Sequence, residues 1–489
     1  MKVSPLTRII IAISIAAIFL IRPYFLQNRG MWYKDDDYDY FAHSSAMVFG
    51  QYPSYQNEFF TIMKEGPQSP IGTGILAAPF VYIFSLLDRV EGSTIVDKRT
   101  PENIIGSWSQ FGFEFASIFY FTWACYLIFL GISRFVAPRQ ASIAVILMMI
   151  CQGLPLFVYR RPFFSHCSEL FLQSVLMYLF LRKRDRSAKA LTGVMVLCTL
   201  LYLTRPNDIA FALLWPFLLC DFSKGMVQAL LQARVGLVLS LGIILFFKVW
   251  PEAVNHMHTY GWAGAYLSTP MSVLDIIKRI LHILIGRDWG LVFTAPFLVI
   301  SFFGIFLLDQ SLLRKFRWLL LPIIVNFYVI IAWGSQGGWY GYRYFIVSAI
   351  PVMTLPLAYL LEWISKRING WAIPAMLLLA CPPVVSMIAF EGCRDFNLQI
   401  LSVDFNRTDW TNPQLQDNFW SVLMHAPGIF CFYISQGFMA LYYSIRGQWP
   451  GLSSLTWLRI IIILFIPWLI WGGIKICNLI CIFRRKIIK

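Results

Sequence analysis

Stretches of roughly 16–25 mostly apolar residues recur along the whole chain, and this repetition constrains the fold more than any other feature. About 20 such residues, wound as a helix, cross the hydrocarbon core of a bilayer. Lipid offers no partner for backbone N–H and C=O groups, so segments of this kind must satisfy them internally, as helices. Only 13% of the 489 residues are charged and 58% are hydrophobic, whereas a soluble domain carries roughly 25% charge. The expected fold is therefore all-α and polytopic: one membrane-embedded unit over residues 1–489 with extramembrane loops.

The net charge of +15 raises the question of nucleic acid. Its distribution argues against that partner, because the basic residues sit in short blocks between apolar runs. Arg182, Lys183, Arg184, Arg186 and Lys189 form one block, Lys366 and Arg367 another, and Arg484, Arg485 and Lys486 a third. Blocks of this kind mark the cytoplasmic side of a membrane protein. The first apolar run follows Lys2 and Arg8 and has no A-x-A type cleavage site after it. It reads as an uncleaved helix with a cytoplasmic N-terminus. The ten cysteines lie mostly inside apolar runs, where a thiol behaves as a small hydrophobe. Cys393 and Cys431 both fall on the outer side, where a disulfide between them is one option.

Charge parity then assigns the crossings. Spans near 7–26, 112–133, 141–158, 167–181, 190–204, 208–220, 235–250, 289–308, 317–333, 344–361, 371–389 and 456–480 number about twelve and put every basic block, with both termini, on the cytoplasmic side. Two further apolar segments, 70–87 and 427–445, would reverse that sidedness if they crossed. Both are expected to lie in, or re-enter at, the outer interface. Long outer loops cover 27–111, 251–288 and 390–455. The turn Thr204-Arg205-Pro206-Asn207-Asp208 is reached by two short spans, so it should lie below the outer membrane surface, at the floor of a cavity.

The candidate chemistry gathers on that outer side. Asp35, Asp36, Asp37 and Asp39 place four carboxylates within five residues just after a membrane helix. In helical form this stretch carries Asp36, Tyr40 and His43 on one face. Crowded carboxylates raise a neighbour's pKa or share a cation. Basic groups face them from elsewhere: Arg160 and Arg161 before His166 and Glu169, Arg205 in the short turn, Lys278, Arg279, His282 and Arg287 in the second long loop, and Tyr342-Arg343 after the ninth span. Ionisable groups at membrane depth are costly and suggest function, and an arginine fork suits phosphate oxygens. A carboxylate able to deprotonate a hydroxyl, opposite cations able to hold a phosphate leaving group, fits transfer of a sugar from a polyprenyl-phosphate carrier.

With those residues in view, the chain resembles the GT-C superfamily of membrane glycosyltransferases, and within it the bacterial dolichyl-phosphate-mannose mannosyltransferase-like group. That resemblance is carried by Asp36-Asp37-Tyr38-Asp39-Tyr40, by Pro70-Ile71-Gly72 with Ala78-Pro79-Phe80, and by Ser165-His166, Arg205-Pro206, Gly290-Leu291 with Ala295-Pro296, and Gly341-Tyr342-Arg343-Tyr344 in the expected order. It implies Asp36 as general base with Asp37 in the second acidic position, in a register that Asp35-Asp36 could also take. Donor phosphate would fall to Arg343, Arg205, Lys278 and Arg279. Asp35, Tyr40, His166, Glu169 and Tyr342 would line the cavity or meet the acceptor. Metal use varies in the superfamily, so a divalent cation at Asp36 and Asp37 stays open. The His-Pro-Pro element of many relatives is replaced by Gly66-Pro67-Gln68-Ser69-Pro70, and the Trp-Trp-Asp motif of oligosaccharyltransferases is absent. The expected function is inverting sugar transfer to a glycan, lipid or protein hydroxyl on the extracytoplasmic face of a bacterial inner membrane. The alternative is a transporter or flippase of a charged lipid-linked glycan, which would place polar groups on both sides of the midplane and usually shows an internal repeat.

Overall fold

The computed structural model describes residues 3–20, 36–60, 66–182, 188–219, 226–255, 272–285, 291–333, 343–367, 376, 378–380, 383–384 and 454–487. Asp35, Arg287, Tyr342, Cys393, Cys431, segment 427–445 and most of span 371–389 lie outside the described residues, as do the side chains of Asp36, Arg160, Lys278, His282 and Arg343.

The described residues hold helices and no strand. They run as α1 (Pro5–Leu20), α2 (Asp36–Val48), α3 (Gly72–Val90), α4 (Trp108–Ile132), α5 (Pro138–Val145), α6 (His166–Leu181), α7 (Ala188–Thr204), α8 (Ile209–Leu219), α9 (Met226–Ile244), α10 (Val273–Ile285), α11 (Pro296–Ile305), α12 (Gln310–Trp333), α13 (Arg343–Arg367) and α14 (Ser454–Ile487). Five stretches among them are long and apolar enough to cross a membrane: Gly72–Val90, Trp108–Ile132, Ala233–Asn255, Phe345–Arg367 and Leu458–Cys477. Six shorter apolar helices accompany them. Leu213, Leu231, Val238, Leu241, Phe303, Ile324 and Leu469 are all more than half exposed. Side chains of this kind on long apolar helices face lipid rather than water, so the chain is an integral membrane protein.

Helix α3 is one of the five stretches long and apolar enough to cross a membrane, whereas charge parity expects segment 70–87 to stay at the outer interface. Asp88, near its end, accepts the backbone N–H groups of Trp108 and Ser109 at 2.9 and 2.7 Å, at the start of α4. Midway, a Cβ on Gly112 would lie 2.8 Å from the Phe80 carbonyl oxygen, so the two backbones touch. Tyr120 donates to the Leu76 carbonyl at 2.8 Å. These contacts make α3 antiparallel to α4 and pair it with the N-terminal part of that helix.

Helices α4 and α6 run parallel, with Gly131 against Leu181 at one end and Ser117 bonded to the Pro162 carbonyl toward the other. Gly72 opens α3 hard against Thr204, the last residue of α7; no side chain would fit between them. His166 and Arg205 therefore stand at one level, about 24 Å from the Arg182 end of α6.

The expected span 141–158 is interrupted. Helix α5 continues as a π turn through Ile150, the chain unwinds over residues 151–153, and a second helical stretch leads into a π turn over Leu156–Arg160. Buried Gln152 satisfies the exposed backbone, accepting from Leu298 N–H at 2.9 Å and donating to the Met148 carbonyl at 3.2 Å. Breaks of this kind are tolerated at depth only when buried in protein. Here the break delivers Arg161 and His166 to the core.

Candidate functional site

The acidic run becomes the start of α2. Three carboxylates in the first turn, Asp36, Asp37 and Asp39, suit the positive end of the helix dipole. Spacing along the helix then sends Asp37 and Asp39 to different partners instead of gathering them. Asp37 is fully buried and meets Arg161, also buried, at 3.2 Å. That guanidinium lies over the Phe164 ring, 4.3 Å from its centroid. Asp39 accepts the N–H groups of Gln68 and Ser69 at 2.8 and 3.2 Å, which fixes the breaker-rich segment ahead of α3. Tyr40 donates to Ser165 Oγ at 3.2 Å, beside His166.

His43, on the face expected to carry Asp36 and Tyr40, is enclosed rather than open to a cavity. Its ring nitrogens meet the Ser69 carbonyl and the Tyr55 hydroxyl, each at 2.8 Å. Burial pushes the imidazole pKa down to about 4, against a weaker upward pull from the Ser69 carbonyl. Below it, Glu58 and Arg99 form a pair with both side chains fully buried, 2.7 Å apart. Glu58 also accepts from Ser45 of α2. Burial raises the Glu58 pKa, while Arg99 and Ser45 pull it back. This layer anchors the acidic helix from beneath.

A second cluster assembles on α6 and the turn after α7. Arg205 contacts His166 Nδ1 at 3.0 Å and Glu169 Oε2 at 3.3 Å, and His166 lies 3.6 Å from Glu169. Buried Glu169 also lies close to buried Asp208, and Asp208 Oδ1 accepts from the Asn326 amide at 3.5 Å. Arg205 keeps part of its side chain exposed while its carboxylate partner is buried.

Two clusters thus meet across consecutive residues: Asp37 with Arg161, Tyr40 with Ser165, and Arg205 with His166 and Glu169. Arg279 is placed elsewhere in the contact network; its Nη1 donates to the Ile331 carbonyl near the end of α12 at 2.7 Å. Arg343 is the first residue of α13, and Lys278 lies within α10. No three His, Cys, Asp or Glu side chains among the described residues converge as a metal site. Sequence reading missed Asn326, Ser348 and Gln152. Each is a buried amide or hydroxyl inside a mainly apolar stretch, and that isolation in lipid-soluble sequence was the available signal.

No protein-family model matches the chain, and no curated protein matches it. Among solved structures, it is similar to the crystal structure of ArnT from Cupriavidus metallidurans in the apo state, at 12% identity and a TM-score of 0.45. The similarity covers 91% of this chain and 74% of that one. At that level the likeness carries no functional weight.

Proposed function

We propose that this protein is an inverting membrane glycosyltransferase that moves a sugar from a polyprenyl-phosphate donor to an acceptor hydroxyl on the extracytoplasmic face. The observation that carries the reading is the seating of the acidic helix α2 on Arg161 and Ser165, directly before the His166–Glu169–Arg205 cluster. Acid and cation come from segments far apart in sequence, and both are buried in a chain with few charges. A structural ion pair alone explains Asp37 and Arg161. It does not explain a partly exposed arginine beside a histidine at the mouth of two short helices.

In this reading Asp37 and Asp39 are committed to buried partners, and Asp36, at the opening of α2, is the general base. It takes the proton of the acceptor hydroxyl as that oxygen bonds to the anomeric carbon. The bond from that carbon to the phosphate oxygen breaks on the opposite face, and polyprenyl phosphate leaves with the electron pair. Arg205, with Arg343 at the start of α13 and Lys278 within α10, stabilises the charge growing on the leaving group. Asp37, paired with buried Arg161, is poorly placed to share a divalent cation with Asp36. The test is transfer of radiolabelled sugar from a polyprenyl-phosphate donor pool by the purified chain. Asp36→Asn should lower turnover by a factor on the order of 100 or more. Undiminished transfer in that variant would remove Asp36 as the base, and no transfer by the wild type from any such donor would remove the function.

A further inference from the structure

We propose that a buried polar chain from Ser348 through Asn326, Asp208 and Glu169 to Arg205 is a positioning device, setting the spacing between the Arg205 turn and the start of α13. The proposal rests on the donor-phosphate reading above. Asn326 is its central link and acts through other groups, so it is a positioning residue.

Asn326 lies inside α12 and is almost fully buried, as are Ser348, Asp208 and Glu169. Its amide donates to Ser348 Oγ at 2.7 Å and reaches Asp208 Oδ1 at 3.5 Å. Ser348 is on α13, five residues after Arg343, or about 7.5 Å along the helix axis. Asp208 closes the turn that begins at Arg205, and Glu169 joins Asp208 to Arg205. The chain thus touches α13, α12, the turn and α6 in order. At its two ends stand the elements bearing the two arginines assigned to donor phosphate.

Apolar packing alone would hold these helices together. Leu or Val at 326 and 348 would avoid the cost of burying polar groups. Apolar contacts, however, tolerate small slides of one helix along another, whereas a hydrogen-bonded network is satisfied in one register only. A phosphate clamp drawn from two separate helices needs that single register, because its cations must reach the same oxygens. The second amide hydrogen of Asn326 makes this residue the only bridge between α13 and the turn among these described contacts.

The experiment titrates a short-chain polyprenyl phosphate into the purified full chain in detergent. Wild type should bind, and Arg205→Ala should bind more weakly. Asn326→Leu, close to it in volume, should bind about tenfold more weakly, in line with loss of one to two buried hydrogen bonds. The double variant should be no weaker than Arg205→Ala alone, because both changes disable the same clamp. Ser348→Ala should follow Asn326→Leu, and Ser348→Thr, which keeps the hydroxyl, should bind as wild type. Wild-type affinity in Asn326→Leu overturns the proposal, as does a fully additive loss in the double variant. Should Asn326→Leu fail to fold, the Ser348 pair decides by the same criteria. Absence of wild-type binding marks failure of the donor reading itself and takes this proposal with it.

Discussion

Replacing Arg99 by methionine tests the layer that supports the acidic helix. Arg99 is fully buried against Glu58, and its remaining N–H groups donate to the Ile95 and Val96 carbonyls and to Gln51. Removing it strands the Glu58 carboxylate with little beyond the Ser45 hydroxyl. Breaking a buried pair from one side costs about 3–5 kcal/mol, whereas replacing both partners is far cheaper. The single variant should therefore lose stability in that range, and Glu58→Gln/Arg99→Met should recover at least half of it. The sign of the pH effect follows from Glu58. Burial already raises its folded pKa above the ordinary 4.5, and loss of Arg99 raises it further. Stability tied to a raised carboxyl pKa is present below the unfolded value and lost as pH rises through the folded one. The Arg99→Met deficit should thus grow from pH 5 to pH 8, while the double variant stays level over the same interval. Urea unfolding in detergent, followed by tryptophan fluorescence, measures both. A deficit under about 1 kcal/mol, or one independent of pH, would refute the reasoning, since a paired interior charge cannot lose its partner so cheaply.

His43 gives an opposite pH signature. With its pKa lowered to about 4, its contribution is present above the ordinary 6.5 and fades as pH falls toward 4, worth about 3 kcal/mol in all. His43→Gln should flatten the acid limb of a melting-temperature series relative to wild type; an equally steep limb would contradict the enclosed, neutral imidazole. On α9, Val238 is 70% exposed, which in this fold means exposed to acyl chains. Val238→Lys should cost about 2.5–3.5 kcal/mol of insertion and lower the membrane-inserted yield while Val238→Leu does not. Equal yields would place that face in water.

Much of the frame was legible because lipid leaves a chain few options. The all-helical architecture, the helix that begins at the acidic run and the placing of Arg205 in a short turn between two helices follow from hydropathy and helix length. The charge partners were less visible. The guanidinium of Arg205 meets Glu169 of α6, and Asp208 of the same turn accepts from Asn326 of α12, contacts between segments far apart in sequence. The acidic run suggests crowded carboxylates, yet Asp37 and Asp39 diverge to Arg161 and to the Gln68–Ser69 amides. No periodicity encodes a contact between residue 37 and residue 161. The break at 151–153 had a signal in Gly153 and Pro155, breakers two residues apart within an apolar run. There hydropathy, which averages over such residues, outweighed them.

The Asp37–Arg161 contact joins residues 124 positions apart, and this gap has a meaning in time. At about 5–20 residues per second, the ribosome needs about 6–25 s after Asp37 to produce its partner. Asn326, which meets Asp208, arrives 118 positions after it. Through that interval Asp37 waits without its counter-charge and must stay hydrated, so its helix cannot yet sink into its final seat. The acidic helix is synthesised early and docks late, and a nascent chain arrested before residue 161 should still carry it exposed on the outer surface.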